Sequence, residues 1–220
     1  MDMGKKIRYL GGPFLAVIFG CILLAGCDST RPEIYIERPV EDIYNIAMDY
    51  LLDGAYEDAA RAFEEVERQH PYSVWSTKAQ VMAAYAFYMD NDYDSAIIAA
   101  ERFISLHPGN EEAPYALYLV GLSYYEQISD VGRDQQMTRL ALKALREIVA
   151  RFPDSKYSRD AVIKIDLTRD HLAGKEMAIG RYYEKQGLYL GAINRYKNVI
   201  DNFQTTTHVP EALHRLTESY

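Results

Sequence analysis

A spaced pattern of tyrosine, alanine and proline recurs along most of this chain. A Tyr is followed three residues later by Ala, and that Ala is followed twelve residues later by Pro. The third set has Thr in place of Tyr and the fourth has Gln in place of Pro; the sets are Tyr56/Ala59/Pro71, Tyr93/Ala96/Pro108, Thr138/Ala141/Pro153 and Tyr189/Ala192/Gln204. Before each set, a small residue precedes an aromatic one by three positions: Ala47/Tyr50, Ala84/Phe87, Gly121/Tyr124 and Gly180/Tyr183. Such periodicity predicts similar units that stack on their neighbours.

Each unit is predicted to be a pair of helices joined by a tight turn. In the first unit, Ala59 and Phe63 fall on one face of a helix, and the sequence lacks the strict alternation of a strand. Gly54 and Gly187 permit tight turns, and Pro71 ends a helix because proline cannot continue a helix interior. These features match the tetratricopeptide (TPR) pattern. They predict an all-α solenoid of helix pairs, with about four to five repeats.

The spacing also sets expected boundaries within a solenoid covering residues 41–220. We expect repeats near residues 41–73, 76–108, 111–153 and 173–204, with a partial fifth repeat from residue 210. About eight extra residues from Ser129 to Gln136 interrupt the third repeat, and an extra helix is expected at residues 158–172. Because a solenoid does not normally end on an unpaired helix, we expect the natural chain to continue beyond Tyr220.

The start of the chain resembles a bacterial secretory signal. A basic start precedes an apolar run from Phe14 to Leu24, and Cys27 follows the small residues Ala25 and Gly26. The stretch from Leu24 to Cys27 matches the lipobox of bacterial lipoproteins. That match implies cleavage before Cys27, a diacylglyceryl group on its sulfur and an acyl chain on the new N-terminus. We therefore expect a signal peptide at residues 1–26 and a lipidated linker at residues 27–40.

The charge of the remaining chain limits its partners. The full chain carries a formal charge of −8, and residues 1–26 contribute +2 through Lys5, Lys6, Arg8 and Asp2, which leaves −10. An acidic body argues against nucleic acid and against electrostatic adhesion to anionic lipid. We therefore expect the lipid anchor to supply the membrane contact, since two or more acyl chains hold a protein stably. Cys21 and Cys27 are the only cysteines, so we expect no disulfide after cleavage.

Catalytic signatures are missing from the sequence. It contains no HExxH pair, no glycine-rich nucleotide-binding motif and no GxSxG motif. His70 and His107 directly precede repeat prolines, where a histidine is better explained by the end of a helix than by a metal. We therefore predict no catalytic residue, no metal site and no cofactor other than the lipid on Cys27. The protein is not expected to be an enzyme.

Tyrosine is abundant, at 19 of 220 residues, and it concentrates on the first helix of each pair. In a TPR array that helix lines the concave surface. In the first three repeats, the residues expected there are Tyr44, Met48, Tyr85, Tyr88, Tyr115, Tyr118 and Tyr125. In the fourth repeat they are Met177, Arg181 and Glu184. Because tyrosine combines a large apolar ring with a hydroxyl, we predict a peptide-binding groove. The alternative is that these rings simply pack between helices.

The lipobox, the short linker and repeats that open with Ile43, Tyr44 and Tyr50 together resemble the BamD (ComL) family. Its members are lipoproteins of the outer-membrane β-barrel assembly machinery. The resemblance extends to the third-repeat insertion at Arg133 and to a fourth-repeat signature made of Tyr182, Tyr183, Glu184, Gly187, Asn194 and Arg195.

The resemblance implies a subunit that binds unfolded outer-membrane proteins and docks on the barrel-forming subunit BamA, beside other lipoproteins of the complex. It implies that Arg195 contacts BamA and that Arg133 lies in a partner-binding insertion. It also implies a lipid-anchored position on the periplasmic face of the outer membrane, with the inner membrane as the alternative because Asp28 follows Cys27. The competing function is an envelope TPR adaptor lipoprotein linked to cell-wall or division machinery.

Overall fold

The computed structural model describes residues 37–220. The expected signal peptide, Cys27 and the linker up to residue 36 lie outside the described residues. The described part folds into nine α-helices and no strand. The helices are α1 (Val40–Leu52), α2 (Tyr56–Gln69), α3 (Val74–Met89), α4 (Tyr93–Leu106), α5 (Ala113–Glu126), α6 (Gln136–Arg151), α7 (Lys156–Lys185), α8 (Tyr189–Asn202) and α9 (Val209–Ser219).

The helices stack in chain order. Each helix packs against the next one, and α1, α3, α5 and α7 also contact one another in sequence. The first helices of successive pairs therefore form one continuous row, which we call the inner row, while α2, α4 and α6 lie behind it. This arrangement confirms the predicted all-α solenoid of helix pairs.

The ends of the helices follow from local sequence. The second helix of a pair ends two residues before Pro71, Pro108 and Pro153, and α8 ends two residues before Gln204. Gly54 and Gly187 have φ values of +78° and +71°, a left-handed conformation that glycine adopts without steric cost. Asn91 takes the same conformation, with φ of 63°, in the turn between α3 and α4. The turns that close the first, second and last of these helix pairs are thus built from residues that tolerate positive φ.

One helix differs from the boundaries expected from the sequence. The extra helix expected at residues 158–172 and the repeat expected from residue 173 are parts of α7, a single helix of 30 residues. The intervening stretch contains Gly174 but no proline, so nothing there forces the helix to end. Gly174 is buried, and a Cβ atom built on it would lie 3.1 Å from His208 Nε2 and 3.5 Å from Val131 Cγ1. This glycine permits two loops to approach α7 closely.

The two halves of α7 belong to different parts of the core. Ala161 packs with Leu145 and Ile148 of α6. Further along the helix, Ala173 and Met177 pack with residues of α8 and α9, including the fully buried Tyr196. The helix therefore continues the stacked array without a break, and it forms part of the inner row.

Candidate functional site

The seven residues predicted to line the groove all lie on inner-row helices. Tyr44 and Met48 are on α1, Tyr85 and Tyr88 are on α3, and the remaining three are Tyr115, Tyr118 and Tyr125 on α5. Each of the seven side chains is half-buried. They pack between neighbouring helices and keep part of their surface exposed to solvent. The peptide-binding groove stays a prediction.

Four tyrosine rings form a contiguous row across three helices. The ring centroids of Tyr85 and Tyr115 are 6.4 Å apart, and those of Tyr115 and Tyr157 are 5.1 Å apart. The ring centroid of Tyr118 lies 5.3 Å from that of Tyr157. Such separations are typical of favourable aromatic pairs. The row therefore connects α3, α5 and the start of α7.

Tyr157 was missed by the sequence analysis, although a local signal for it exists. Its backbone N–H donates to the hydroxyl of Ser155, two residues earlier, at 3.2 Å. The backbone N–H of Trp75 donates in the same way to Ser73, also at 3.2 Å. Both aromatic residues stand four positions after a repeat proline, Pro71 or Pro153. This repeated serine cap shows that α7 begins like the first helix of a repeat.

A cavity of about 690 Å³ opens between Tyr44 and the tyrosine row. The ring centroid of Tyr44 lies 4.8 Å from that of Trp75 and 5.4 Å from that of Phe63. Met48 packs against the same hydrophobic cluster, which includes Phe63. The cavity is lined on the other side by Tyr115 and Tyr157. Its volume lies within the range of about 300–1,000 Å³ that is usual for pockets that hold small molecules.

The exposed parts of the half-buried tyrosines on α1, α3, α5 and α7 are together called the tyrosine surface. Polar side chains contact it away from this cavity. The Tyr88 hydroxyl is 3.5 Å from Glu126 Oε1, and the Tyr118 hydroxyl donates to Asp160. The ammonium of Lys164 lies 5.2 Å from the centre of the Tyr125 ring, a cation–π distance. The apolar ring surfaces are thus flanked by groups that can form hydrogen bonds.

Burial keeps several of the tyrosine hydroxyls protonated. It raises the pKa of Tyr88 to about 12, with the negative charge of Glu126 as the second cause. Burial also raises the pKa of Tyr44, Tyr115 and Tyr118 above the ordinary tyrosine value, and for Tyr118 the Asp160 hydrogen bond adds to the effect. These hydroxyls therefore keep their protons well above neutral pH, so Tyr118 continues to donate to Asp160 there.

The fourth-repeat positions differ from their expected exposure. Met177 is fully buried, so its predicted place on the concave surface is wrong: it packs beneath α8 and α9. Arg181 forms an ion pair with Glu211 of α9 at 3.0 Å. Glu184 accepts hydrogen bonds from Arg215 and from the Tyr196 hydroxyl, both at 2.9 Å. Partners on α8 and α9 thus bind both charged side chains.

Arg195 lies on α8 and is held by α7. Its Nη1 atom donates to Glu176 Oε2 at 3.0 Å, and the side chain keeps 40% of its surface exposed. This hydrogen bond raises the pKa of the Arg195 guanidinium above its ordinary value. A cavity of about 400 Å³, which we call the α8 cavity, is lined by Arg195, Glu176, Tyr183, Gly191, Asn194 and Asn198.

Arg133 lies in the loop between α5 and α6 and is exposed. The loop is internally braced, because the buried Gln135 amide donates to the carbonyls of Asp130 and Arg133 at 3.1 and 3.2 Å. The Lys175 ammonium of α7 donates to the carbonyls of Gly132 and Arg133 at 3.0 and 3.1 Å. A cavity of about 520 Å³, which we call the insertion cavity, lies between this loop and α7.

Comparison with known proteins identifies the family. A family model described as "YfiO: Outer membrane lipoprotein" matches residues 36–220. The chain belongs to this family. Three relatives carry the name outer membrane protein assembly factor BamD. The Caulobacter vibrioides protein is 52% identical over 209 residues, 94% of this chain and 68% of the relative. The Rickettsia prowazekii protein is 43% identical over 199 residues, 90% of this chain and 79% of the relative.

The third relative, from Neisseria gonorrhoeae, is 38% identical over 220 residues, which is 94% of this chain and 82% of the relative. The resemblance to the BamD family inferred from the lipobox and the repeats is therefore confirmed. Within residues 37–220, no helix is both long and apolar enough to cross a bilayer.

Proposed function

We propose that this protein is a lipid-anchored, non-catalytic subunit of the outer-membrane β-barrel assembly machinery. It binds unfolded outer-membrane proteins along the tyrosine surface of the inner row and docks on BamA through Arg195. The observation that carries the proposal is the half-buried tyrosine surface on α1, α3, α5 and α7, in a chain whose relatives are named as assembly factors. Family membership alone does not assign a binding surface, whereas these rings offer one.

The tyrosine surface has the chemistry that an unfolded chain requires. Extended peptides present apolar side chains together with unpaired backbone amide groups. The ring faces of Tyr85, Tyr115 and Tyr118 can bury apolar side chains, and the hydroxyls of Tyr85 and Tyr115 can donate to backbone carbonyls. The Tyr118 hydroxyl donates to Asp160, so it can instead accept from a backbone N–H. Because such contacts do not depend on one side-chain sequence, the surface suits many substrates. The resemblance to the BamD family implies that these substrates end in an aromatic residue, whose ring this surface can bury.

The first test removes three rings of this surface. Combined substitution of Tyr85, Tyr88 and Tyr118 by Ala should weaken binding of a fluorescent unfolded peptide that ends in an aromatic residue by more than about tenfold, because buried aromatic residues dominate such interfaces. Fluorescence anisotropy measures the affinity, and circular dichroism checks that helicity persists.

A matched triple variant provides the control for that experiment. Tyr50, Tyr182 and Tyr189 are 41%, 61% and 52% exposed, and they are not among the residues assigned to the groove. Their combined substitution by Ala should leave peptide affinity unchanged. Equal affinities for the two triple variants would place the peptide site elsewhere.

A second test concerns Cys27, which lies outside the described residues. Cys27→Ser should abolish labelling with a tagged fatty acid and release the protein from membranes, because serine offers no sulfur for the diacylglyceryl group. Cys21→Ser should behave as wild type, because this residue lies within the expected signal peptide. Equal labelling of the Cys27→Ser variant and wild type would contradict lipidation at Cys27.

Purification of the tagged full-length protein from fractionated membranes tests the whole proposal. We expect BamA and other lipoproteins of the machinery to co-purify from the outer-membrane fraction. Recovery of a cell-wall or division enzyme instead of BamA would favour the adaptor function. Recovery of the protein from the inner membrane would contradict the outer-membrane location and favour the alternative that Asp28 suggests.

A further inference from the structure

Side chains at the end of α2 bind the residue that stands just before α1. The backbone N–H of Arg38 donates to Gln69 Oε1 at 3.0 Å, and its carbonyl oxygen lies 2.7 Å from His70 Nε2. The Gln69 amide in turn donates to Glu65, which holds it in place. Both backbone groups of Arg38 are therefore bound, and the chain enters the solenoid at a fixed position beside the end of α2.

This entry point is close to the expected lipid anchor along the chain. Arg38 follows Cys27 by eleven positions. Because an extended chain spans at most about 3.5 Å per residue, Arg38 lies no more than about 40 Å from the acylated residue. A tether this short gives the nearby surface of the solenoid a high effective concentration at the bilayer. A contact that is too weak to bind a membrane by itself is therefore sufficient here.

The loop between α2 and α3 begins at His70 and exposes two apolar side chains. Tyr72 is wholly exposed, at 101%, and Val74 is 76% exposed. The loop is nevertheless well ordered by hydrogen bonds, because the Ser73 N–H donates to the His70 carbonyl at 3.0 Å and the Ser73 hydroxyl accepts from the Trp75 N–H at 3.2 Å. The fold thus holds both side chains away from its core and gains little from burying them.

The charge of this loop differs from that of the whole chain. The full chain carries −8, but residues 68–78 contain two basic residues, Arg68 and Lys78, and no acidic one. The loop between α4 and α5 contains Glu111 and Glu112, and the loop between α6 and α7 contains Asp154. Phosphate groups at a bilayer surface repel such carboxylates. The loop that lies beside the tether is therefore better suited to a lipid surface than the next two.

From these observations we propose that the loop between α2 and α3 contacts the lipid bilayer through Tyr72 and Val74. Tyr72 places its ring at the level of the headgroups with its hydroxyl towards water, an arrangement typical of tyrosine at membrane interfaces, and Val74 adds apolar surface. The inference rests on the lipid anchor of the proposed function, because the tether brings the loop to the membrane. It goes beyond that function, since it assigns the end of the first helix pair that faces the bilayer: the end with this loop, and not the turn at Gly54.

Trp75 provides a local probe of this contact, because it is the only tryptophan of the chain and follows Val74 directly. The acylated full-length chain is reconstituted into vesicles of phosphatidylethanolamine and phosphatidylglycerol that contain doxyl-labelled phosphatidylcholine, whose doxyl group quenches tryptophan at short range. We expect the doxyl lipid to quench at least about half of the Trp75 emission, because the tether keeps the loop at the bilayer. Tyr72→Ser/Val74→Ser should lose most of this quenching while it stays on the vesicles, since its acyl chains are intact.

A second exposed pair of one aromatic and one aliphatic residue provides the matched control. Tyr189 and Leu190, at the start of α8, are 52% and 80% exposed. Tyr189→Ser/Leu190→Ser should be quenched as strongly as wild type, because this pair is not part of the loop beside the tether. Circular dichroism of both double variants checks that helicity persists, which is expected because all four side chains are exposed.

The outcomes separate this inference from the proposed function. Unquenched Trp75 in a wild-type chain that carries the fatty-acid label and stays on the vesicles would overturn the membrane contact and leave the proposed function intact. Equal quenching of the two double variants would also overturn it, because the contact would not depend on Tyr72 and Val74. Weaker binding of an unfolded peptide by Tyr72→Ser/Val74→Ser, with no quenching in wild type, would overturn it by assigning this pair to the peptide groove. A wild-type chain without the label would overturn both.

Discussion

Gly180→Leu is expected to destabilise the solenoid by about 3 kcal/mol or more. A Cβ atom built on Gly180 would fall on the ring of Tyr196, 2.9 Å from both Cδ1 and Cζ. Tyr196 is fully buried, and its hydroxyl donates to Glu184 at 2.9 Å. Overpacking in a core typically costs about 1–3 kcal/mol, and displacement of the ring would also break a hydrogen bond worth about 1 kcal/mol. Urea unfolding of the variant measures the change.

Two other glycines provide graded controls for this experiment. A Cβ atom on Gly121 would lie 3.0 Å from Leu145 Cδ2, the end of a flexible side chain, so Gly121→Ala should cost less than Gly180→Ala. A Cβ atom on Gly109 would have no neighbour within 4 Å, and Gly109→Ala should change stability little. Equal unfolding midpoints for Gly180→Leu and Gly109→Leu would show that α7 and α8 do not meet at Gly180.

The repeated helix pairs were predictable because their determinants are local. Small residues at Ala47, Ala84, Gly121 and Gly180 are all buried where neighbouring helices meet. The repeat prolines and the turn glycines act on their own segments, so their effects can be inferred without a fold. The continuity of α7 was not predicted. The repeat spacing placed a boundary between residues 172 and 173, although no residue there ends the helix.

The candidate site was predictable only in part, for a physical reason. Helix geometry alone placed the tyrosines of α1, α3 and α5 on the inner row. The contacts of Glu176 and Lys175, in contrast, join residues 19 and 42 positions away in sequence. Such pairs arise from the way α7 packs against a loop and against α8. A local sequence pattern does not encode such pairs. For the same reason, the prediction that Met177 is exposed was wrong.

Arg195→Glu is expected to weaken binding to BamA by at least about thirtyfold, equivalent to about 2–5 kcal/mol. In the free protein the side chain is 40% exposed, so a partner carboxylate can reach the guanidinium. Docking would remove that contact from water. In the dry contact, the reversed charge would repel the partner carboxylate, and the bidentate hydrogen bond of the arginine would be lost. Surface plasmon resonance with immobilised BamA, at low and high salt, measures the change. Arg195→Lys should bind with intermediate affinity, because an ammonium reproduces the charge but not the planar pair of donors.

The new glutamate would also face Glu176 within the same chain, and this effect must be separated from docking. The double variant Arg195→Glu/Glu176→Arg restores an ion pair between α8 and α7, so its melting temperature should return towards that of wild type. It should still fail to bind BamA strongly, because the cation no longer projects from α8. An acidic-to-basic change at the contacting position of BamA should recover binding to Arg195→Glu. Wild-type affinity of the Arg195→Glu variant at both salt concentrations would exclude Arg195 from the BamA contact. Strong binding of BamA by the double variant Arg195→Glu/Glu176→Arg would show that docking requires the ion pair between α7 and α8, and not an arginine at position 195.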